Sequence, residues 1–307
     1  MKHCLLTCFV SIPNHLAAIN LCCGNKIEGH RSAEILLLGG KFINFAYVSL
    51  ITSACLNKAA LQIIDVMAYS KIKEIEKCLW GKYNVHIKAN DDVNIIVGIN
   101  GSGKTTLLNE INKMALENAD DKNRVVYVPS IDNIAMRDKR KVVNALTQDL
   151  EFYMFDMKTG PSMMYHRMSM IDASVERQME MKAGIDNFCA IVNGLFDTTG
   201  KHIEIEGNKF NVVSDGELIP INALSSGEKQ ILLILLRVFL LDGEESCVLL
   251  DEPENSLDIS WQFELVNILV KLNPNAQYFI TTHSPSIFGD GWGDKIIYME
   301  DVTTPVK

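Results

Sequence analysis

Two spacings of hydrophobic residues alternate along the chain from about residue 70 onward. Short apolar runs predict buried strands, and longer segments with apolar residues three or four positions apart predict helices. The predicted strands cover residues 93–97, 124–129, 247–251, 278–283 and 295–299. The predicted helices cover residues 104–117, 231–241 and 261–272. This alternation predicts an α/β fold with a parallel sheet, and the tail beyond residue 299 is predicted to fray.

Other segments depart from this alternation. Residues 71–79 and 83–89, separated by the turn Trp80-Gly81-Lys82, predict a hairpin ahead of the first parallel strand. Short runs near residues 202–206, 209–214 and 217–221 predict further strands. Residues 133–199 have helical spacing and predict a small α-helical lobe.

Composition and charge restrict the classes of partner. The net charge of -9 and the pI of about 5.3 argue against a surface that binds nucleic acid by bulk charge. One dense basic run, residues 137–141 with Arg137, Lys139, Arg140 and Lys141, leaves local phosphate contacts open, with a solvated helix face as the alternative. The eight cysteines form no Cys-x-x-Cys pair and no zinc-type spacing, so the sequence supports neither such a metal site nor a redox motif.

A glycine-rich segment connects the predicted strand at 93–97 to the helix at 104–117. Its sequence, Gly98-Ile99-Asn100-Gly101-Ser102-Gly103-Lys104-Thr105, matches the P-loop pattern. Glycines let backbone N–H groups and the helix N-terminus face a polyphosphate. In this pattern Lys104 reaches the β- and γ-phosphates and Thr105 holds Mg²⁺. The predicted nucleotide-binding residues here are Gly98, Asn100, Gly101, Ser102, Gly103, Lys104, Thr105 and Thr106.

A second anion site is predicted at the start of the helix at 231–241. The segment Leu224-Ser225-Ser226-Gly227-Glu228-Lys229-Gln230 turns into this helix. A Ser-Ser-Gly turn exposes N–H groups at the positive end of the helix dipole. The helix is apolar on nearly all faces, which predicts that it is buried.

Two adjacent carboxylates end the next apolar strand, as in a Walker B strand. Asp251 is predicted to meet Mg²⁺, directly or through water, and Glu252 to polarise the attacking water as a general base. His283 ends the following strand, 31 positions after Glu252. Neighbouring parallel strands would place both side chains at one sheet edge, so His283 is predicted to sense the γ-phosphate.

These motifs stand in the order found in ATP-binding cassette (ABC) ATPases, which the chain resembles from about Met67 to its end. The matching segments are residues 98–105, 224–230, 248–253, 256–258 and 282–283. The segments LSSGEKQ, DEPENSLD and TTHSP are similar to the corresponding segments of the soluble branch of this class. That branch includes RecF-type and structural-maintenance-of-chromosomes ATPases, overcoming-lysogenization-defect nucleases and small bacterial AAA-family ATPases of phage defence.

The resemblance implies an α/β P-loop NTPase fold of the ABC ATPase head type, with an N-terminal antiparallel β subdomain and a small α-helical lobe. It implies ATP and Mg²⁺ as ligands, and two subunits packed head to tail around ATP. Ser225, Gly227 and Glu228 would then act in trans, and Asp258 would lie at the dimer interface. Together with Ser226, these residues are expected to bind the nucleotide. In many such cassettes an aromatic ring stacks on adenine. Trp80 and Tyr83 are the candidates, with packing over the sheet edge as the alternative.

The sequence differs from the families that it resembles in features that limit the expected function. About 120 residues separate the P-loop from the signature, too few for the long coiled coil of chromosome-maintenance ATPases. About 24 residues follow His283, so we expect no nuclease domain of the overcoming-lysogenization-defect type. A coupling glutamine is not evident after Pro129, and Gln148 lies in a helical pattern.

The first 66 residues differ from the rest, with five of the eight cysteines and no clear periodicity. Residues 35–56 are long enough to span a bilayer, but glycines, a lysine and an asparagine interrupt them. We favour a native start at Met67, because residues 67–307 have the size of one ATPase domain. An accessory folded segment and a membrane anchor stay open.

The expected function is ATP hydrolysis by a cytoplasmic ATPase that dimerises on ATP. Through that switch it would control a separately encoded effector, such as a nuclease or toxin, in DNA maintenance or phage defence. One alternative is the ATP-binding subunit of an ABC transporter. Another is an ATP-dependent DNA-binding clamp that uses residues 137–141.

Overall fold

The chain is described from a computed structural model. It describes residues 69–130, 139–157, 160–206, 209–289 and 291–306, together with the backbone of residues 5–12 and 15–22. The chain divides into two compact units, Met1–Val66 and Met67–Lys307.

The first unit contains an antiparallel hairpin formed by β1 (Leu5–Ile12) and β2 (His15–Cys22). Its register pairs Leu5 with Cys22 and Ile12 with His15. The apolar stretch at residues 35–56 lies outside the described residues, and the native start at Met67 stays a prediction. Among the helices of the described residues, none is long and apolar enough to cross a membrane.

The second unit combines strands and helices along its whole length. Its described strands are β3 (Glu74–Leu79), β4 (Tyr83–Lys88), β5 (Val93–Val97), β6 (Val125–Val128), β7 (Lys201–Glu206), β8 (Lys209–Ser214), β9 (Glu217–Ile219), β10 (Ser246–Asp251), β11 (Ala276–Thr282), β12 (Ile296–Tyr298) and β13 (Thr303–Pro305). Its described α-helices are α1 (Lys104–Asn118), α2 (Lys139–Phe155), α3 (Met163–Ser169), α4 (Val175–Phe196), α5 (Ser226–Phe239), α6 (Ile259–Leu272), α7 (Pro285–Phe288) and α8 (Met299–Val302). This order confirms the predicted α/β class.

A five-stranded parallel sheet lies at the centre, in the order β12, β5, β11, β10, β6. Every residue of β10 is buried, because both faces of the sheet are covered. Cys247 and Leu249 belong to the hydrophobic cluster that includes α1 and the β3–β4 hairpin. Val248 and Leu250 belong to the cluster that includes α5 and α6. Successive side chains of β10 point to opposite faces of the sheet. One face therefore packs against α1 and the β3–β4 hairpin, and the other packs against α5 and α6.

The predicted hairpin ahead of the P-loop is present, and it gains a third strand. The order of this antiparallel sheet is β13, β4, β3. The prediction that the C-terminal tail frays is wrong, because β13 pairs with β4 and the Val306 N–H donates to the Lys82 carbonyl at 2.8 Å. A strand of three residues is too short to show a hydrophobic period in the sequence. It is recognised only through its pairing with the free edge of β4.

The predicted α-helical lobe consists of α2, α3 and α4; residues 131–138, where it begins in the sequence, lie outside the described residues. Gln148 is exposed in the middle of α2. The lobe packs on α5 through both α2 and α4, and the Phe188 ring of α4 lies 4.9 Å from that of Phe239 on α5. The antiparallel sheet β7-β8-β9 returns the chain to α5. This sheet thus lies between the lobe and α5 in the chain.

Candidate functional site

The P-loop has the backbone that its glycines predict. Gly101 and Gly103 have φ angles of 83° and 96°, in the left-handed region that favours glycine. A Cβ on Gly98 would lie 2.6 Å from the Ser102 hydroxyl oxygen, so a side chain there would not fit without a shift. That hydroxyl is buried without a hydrogen-bond partner in the described part of the chain. A tight loop with an unused hydroxyl fits a polar ligand such as a phosphate.

Lys104 begins α1, and its side chain is only 3% exposed. Its Nζ donates to the carbonyl oxygens of Gly98 at 2.8 Å and Ile99 at 3.3 Å. It also lies 3.4 Å from Oε1 of Glu252. The ammonium therefore lies inside the P-loop, between the loop backbone and the end of β10.

Asp251 is buried at the end of β10, next to Thr105 at the start of α1. The Thr105 hydroxyl donates to its two carboxylate oxygens at 3.1 and 3.0 Å, and the Thr281 hydroxyl donates at 2.7 Å. Burial raises the pKa of Asp251, whereas these hydroxyl contacts act in the opposite direction. A carboxylate beside a hydroxyl offers the hard oxygen ligands that Mg²⁺ prefers, so these residues fit this ion.

Glu252 has an unusual backbone for a non-glycine residue, with a φ of 47°. Its N–H donates to the Thr281 carbonyl at 3.0 Å, which ties this turn to β11. Left-handed backbone at such a residue costs about 1 kcal/mol or more and persists where surrounding structure enforces it. The backbone of Glu252 is therefore fixed at the carboxyl edge of the sheet, and its carboxylate is partly exposed.

His283 follows β11, which runs parallel to β10 with Asp251 opposite Thr281. Its Nδ1 lies 3.9 Å from Oε1 of Glu252 and 3.2 Å from Oε1 of Glu254. The topology thus places His283 beside Glu252, where the strand spacing predicted it. Sequence reasoning missed Glu254. The signal available was a third acidic residue within the turn after β10, and its burial appears only in the fold.

We call Gly98–Thr105 with Asp251, Glu252 and His283 the P-loop half. Ser225–Glu228 and Asp258 form the signature half. Of the predicted residues in the P-loop half, Lys104, Thr105, Asp251, Glu252 and His283 converge through the contacts above. Asn100 is exposed at the loop tip, and Thr106 lies on α1 one residue beyond Thr105.

In the signature half, side chains make local contacts at the start of α5. The Ser225 hydroxyl accepts from the Glu228 N–H at 3.2 Å, and the Glu228 carboxylate accepts from the Ser225 N–H at 2.7 Å, which forms a capping box. Lys201 donates to both Glu228 oxygens at 2.9 and 2.8 Å. Burial alone would raise the pKa of Glu228, but Lys201 and the Ser225 N–H outweigh it and hold that pKa below its usual range. The carboxylate thus stabilises the turn, and nucleotide contact by Glu228 stays a prediction.

Gly227 touches the loop after β10. A Cβ on Gly227 would lie 2.2 Å from the Ser256 carbonyl oxygen, so only glycine fits without moving backbone. Asp258 caps α6 by accepting from the Ser260 N–H at 2.8 Å, and it is exposed. Ser225 and Ser226 are also exposed. Among the described residues, no hydrogen bond or ion pair joins Ser225–Glu228 to the P-loop.

A cavity of about 510 Å³ adjoins the P-loop. Its lining includes Trp80 and Tyr83 as well as Gly98 and Ser102 of the P-loop. The Trp80 ring also packs on the P-loop, since a Cβ on Gly103 would lie 2.8 Å from it. Trp80 and Tyr83 make an edge contact with ring centres 6.4 Å apart. The cavity is thus wide enough for a nucleobase beside the phosphate loop, with either ring as its wall.

A parallel sheet, a P-loop between strand and helix, and paired carboxylates at the sheet edge define a P-loop ATPase domain of the ABC type. The family comparison agrees with this class. Residues 132–289 match the family described as "AAA domain, putative AbiEii toxin, Type IV TA system". The match spans just over half of the chain, so the protein belongs to this family. The predicted family resemblance is confirmed.

A curated relative is the "Uncharacterized chromosomal cassette SCCmec type IVc protein CR006" of Staphylococcus aureus (strain MRSA252). It is 26% identical over 137 residues, which are 39% of this chain and 19% of that protein. The chain thus spans about a fifth of the length of the curated relatives it matches.

Two solved structures are similar in fold. An Smc head bound to the C-winged helix domain of ScpA is 15% identical, with a TM-score of 0.46, covering 77% of this chain and 97% of that chain. A nucleotide-free ATP-binding cassette from an ABC transporter is 16% identical, with a TM-score of 0.37, covering 70% and 81%.

Proposed function

We propose that the protein binds and slowly hydrolyses ATP with Mg²⁺ at the P-loop half. The observation that carries this proposal is the convergence of Lys104, Thr105, Asp251, Glu252 and His283 at one edge of the parallel sheet. Three separate elements supply these side chains, at the ends of β10 and β11 and the start of α1. A site for ligands at the carboxyl edge of parallel strands is the general rule for such sheets.

Each residue has a role that its contacts support. Lys104, whose ammonium lies in the loop among backbone carbonyls, holds the terminal phosphates. Thr105 and Asp251 hold Mg²⁺, which would neutralise charge on the phosphate oxygens. Glu252 accepts a proton from the attacking water, and His283 contacts the terminal phosphate. The cavity beside Trp80 and Tyr83 takes the adenine.

In the proposed dimer, the signature half of one copy of the chain completes the site at the P-loop half of the other copy. Ser225 and Ser226 are exposed at the N-terminus of α5, where N–H groups favour an anion. We therefore include an ATP-dependent homodimer in the proposal, with Asp258 near the interface. Control of a separately encoded nuclease or toxin in the cytoplasm, in phage defence or DNA maintenance, is the output that we propose for this switch.

Turnover and sizing of the full chain test the proposal. Phosphate release from ATP is expected with Mg²⁺ and is expected to stop with a chelator. Light scattering is expected to show a shift from monomer to dimer on addition of a non-hydrolysable ATP analogue. Monomers alone at saturating analogue would contradict the dimer, and Mg²⁺-independent turnover would contradict the roles of Thr105 and Asp251.

A further inference from the structure

A buried carboxylate lies directly behind His283. The Glu254 side chain is 4% exposed. Its Oε1 accepts hydrogen bonds from the Thr282 hydroxyl at 2.7 Å and from the His283 backbone N–H at 3.0 Å. The same oxygen lies 3.2 Å from His283 Nδ1. One carboxylate oxygen therefore contacts both the backbone and the ring of His283.

We propose that Glu254 is the positioning residue for His283 in the ATPase reaction; the inference rests on the proposed function. Through the 3.2 Å contact, the Glu254 carboxylate favours the tautomer with the proton on Nδ1 and restricts the rotation of the ring. Hydrogen bonding at one ring nitrogen decides what the other nitrogen presents. Because Nδ1 faces Glu254, Nε2 is left for the nucleotide. The His283 side chain is 47% exposed, which leaves the outer part of the ring accessible to a ligand.

Glu254 also protects the general base. His283 Nδ1 lies between two carboxylates, 3.2 Å from Glu254 and 3.9 Å from Glu252. Glu252 already has Lys104 at 3.4 Å. A second donor on Glu252 would occupy lone pairs that must accept the proton of water. Because the protonated Nδ1 faces Glu254 at the shorter distance, Glu252 remains available to accept a proton from water.

Packing alone does not explain a carboxylate at this position. Glu254 Oε2 is buried and lacks a hydrogen-bond partner in the part of the chain that is described. Burial of a carboxylate with one unpaired oxygen is unfavourable, and an apolar side chain of similar volume would avoid that cost. The contacts of Oε1 with Thr282 and His283 are therefore the feature that a carboxylate provides here.

A pair of variants of similar volume separates the acceptor from the packing. Glu254→Gln retains an acceptor oxygen, whereas Glu254→Met removes it. Glu264→Gln, at an exposed carboxylate of α6, is the matched control. The measurements are the ATP·Mg²⁺ Kd, kcat, and nitrogen NMR of the histidine rings in nucleotide-free protein. His283→Gln assigns the His283 signals among the seven histidines.

Glu254→Met is expected to lower kcat about 10- to 100-fold, by analogy with the loss of a partner that orients a metal-ligating histidine. Its Kd is expected to stay within about threefold, because the effect lies on the chemical step. The NMR signature of a hydrogen-bonded, protonated Nδ1 is expected to disappear. Glu254→Gln is expected to retain most of kcat, and Glu264→Gln to match the wild type.

Equal kcat values for the Met and Gln variants would overturn the proposal, as would unchanged His283 ring signals in Glu254→Met. An absence of ATP turnover in the wild type would overturn the proposed function, while the NMR comparison still decides the Glu254–His283 contact. If Glu254→Met does not fold, Glu254→Asp replaces it, since its carboxylate is one methylene shorter. Glu254→Asp is then expected to lower kcat more than Glu254→Gln, and the reverse order would refute the role.

Discussion

The P-loop half and the signature half use polar side chains in opposite ways. In the P-loop half, side chains from separate elements meet, and Lys104, Asp251 and Glu252 contact groups far away in the sequence. In the signature half, the Ser225 hydroxyl and the Glu228 carboxylate cap their own helix, and Asp258 caps the next one. Side chains from separate elements thus assemble the P-loop half, whereas the signature turn is capped locally and supported by Lys201 from β7.

This difference has a physical cause and a functional consequence. Parallel strands place their carboxyl ends at one edge of the sheet, so residues from several strands of the same chain meet there. A helix N-terminus presents backbone N–H groups, and its side chains are needed to hold that turn. We infer that the P-loop half supplies the chemistry and the signature half supplies a rigid anion-binding surface. The variants below test this division, because the first two should change ATP turnover and nucleotide binding, and the last two should change stability.

Glu252→Gln gives the largest expected effect. Loss of the general base should lower kcat about 100- to 10,000-fold. ATP binding should persist, and the ATP-bound dimer should last longer. Steady-state phosphate release and equilibrium binding of a fluorescent ATP analogue measure the two properties. A variant that turns over ATP at the wild-type rate would remove Glu252 from the mechanism.

Lys104→Ala should weaken nucleotide binding. A hydrogen bond to a charged group contributes about 1.5–3 kcal/mol, so the Kd for ATP·Mg²⁺ should rise roughly ten- to a hundredfold. Calorimetric titration measures this change. Lys113→Ala, at an exposed lysine of the same helix, is the control and should bind as the wild type does. Intact affinity in Lys104→Ala would reject the P-loop assignment.

Lys201→Met should destabilise the fold by about 2 kcal/mol at pH 7, because it leaves the buried Glu228 carboxylate without its cation. Lys201 and the Ser225 N–H hold the pKa of Glu228 below its usual range. The ionised carboxylate therefore stabilises the fold at pH values above about 4.3, the ordinary pKa of a glutamate side chain. This contribution disappears as the pH falls through the lowered pKa of Glu228.

The difference between wild type and Lys201→Met should accordingly be full at pH 7 and shrink below about pH 4. Urea unfolding at both pH values measures it. Lys182→Met, at an exposed lysine of α4, is the control and should show little difference at either pH. A difference that grows at acid pH would contradict the assigned ion pair.

Gly227→Ala should destabilise the protein by about 1–2 kcal/mol, because its Cβ would lie 2.2 Å from the Ser256 carbonyl oxygen. Gly194→Ala, in α4, is the matched control. No atom lies within 4 Å of a Cβ at Gly194, so alanine should stabilise the helix by about 0.5–1 kcal/mol. Thermal unfolding of both variants should show a lower Tm for Gly227→Ala and a higher Tm for Gly194→Ala. A neutral Gly227→Ala would mean that the signature turn and the Ser256 loop move apart freely.

Much of the fold was readable from the sequence, for identifiable reasons. The buried strands β5, β10 and β11 each contain a short apolar run, and α5 is apolar on nearly all faces. Element ends were less accurate: β3 begins at Glu74 rather than at residue 71, and α6 begins at Ile259 rather than at residue 261. Capping and pairing decide such ends, and hydrophobic spacing does not record them.

The sequence by itself determined which residues form the P-loop, the carboxylate pair and the signature turn, because each is a local motif whose chemistry follows from adjacent residues. The strand spacing also predicted that His283 would lie beside Glu252. Only the tertiary structure decided that Glu254 lies behind His283, that Lys201 neutralises Glu228 and that β13 closes the small sheet. These contacts join segments brought together by folding, and a linear pattern does not encode which distant side chain becomes buried beside another.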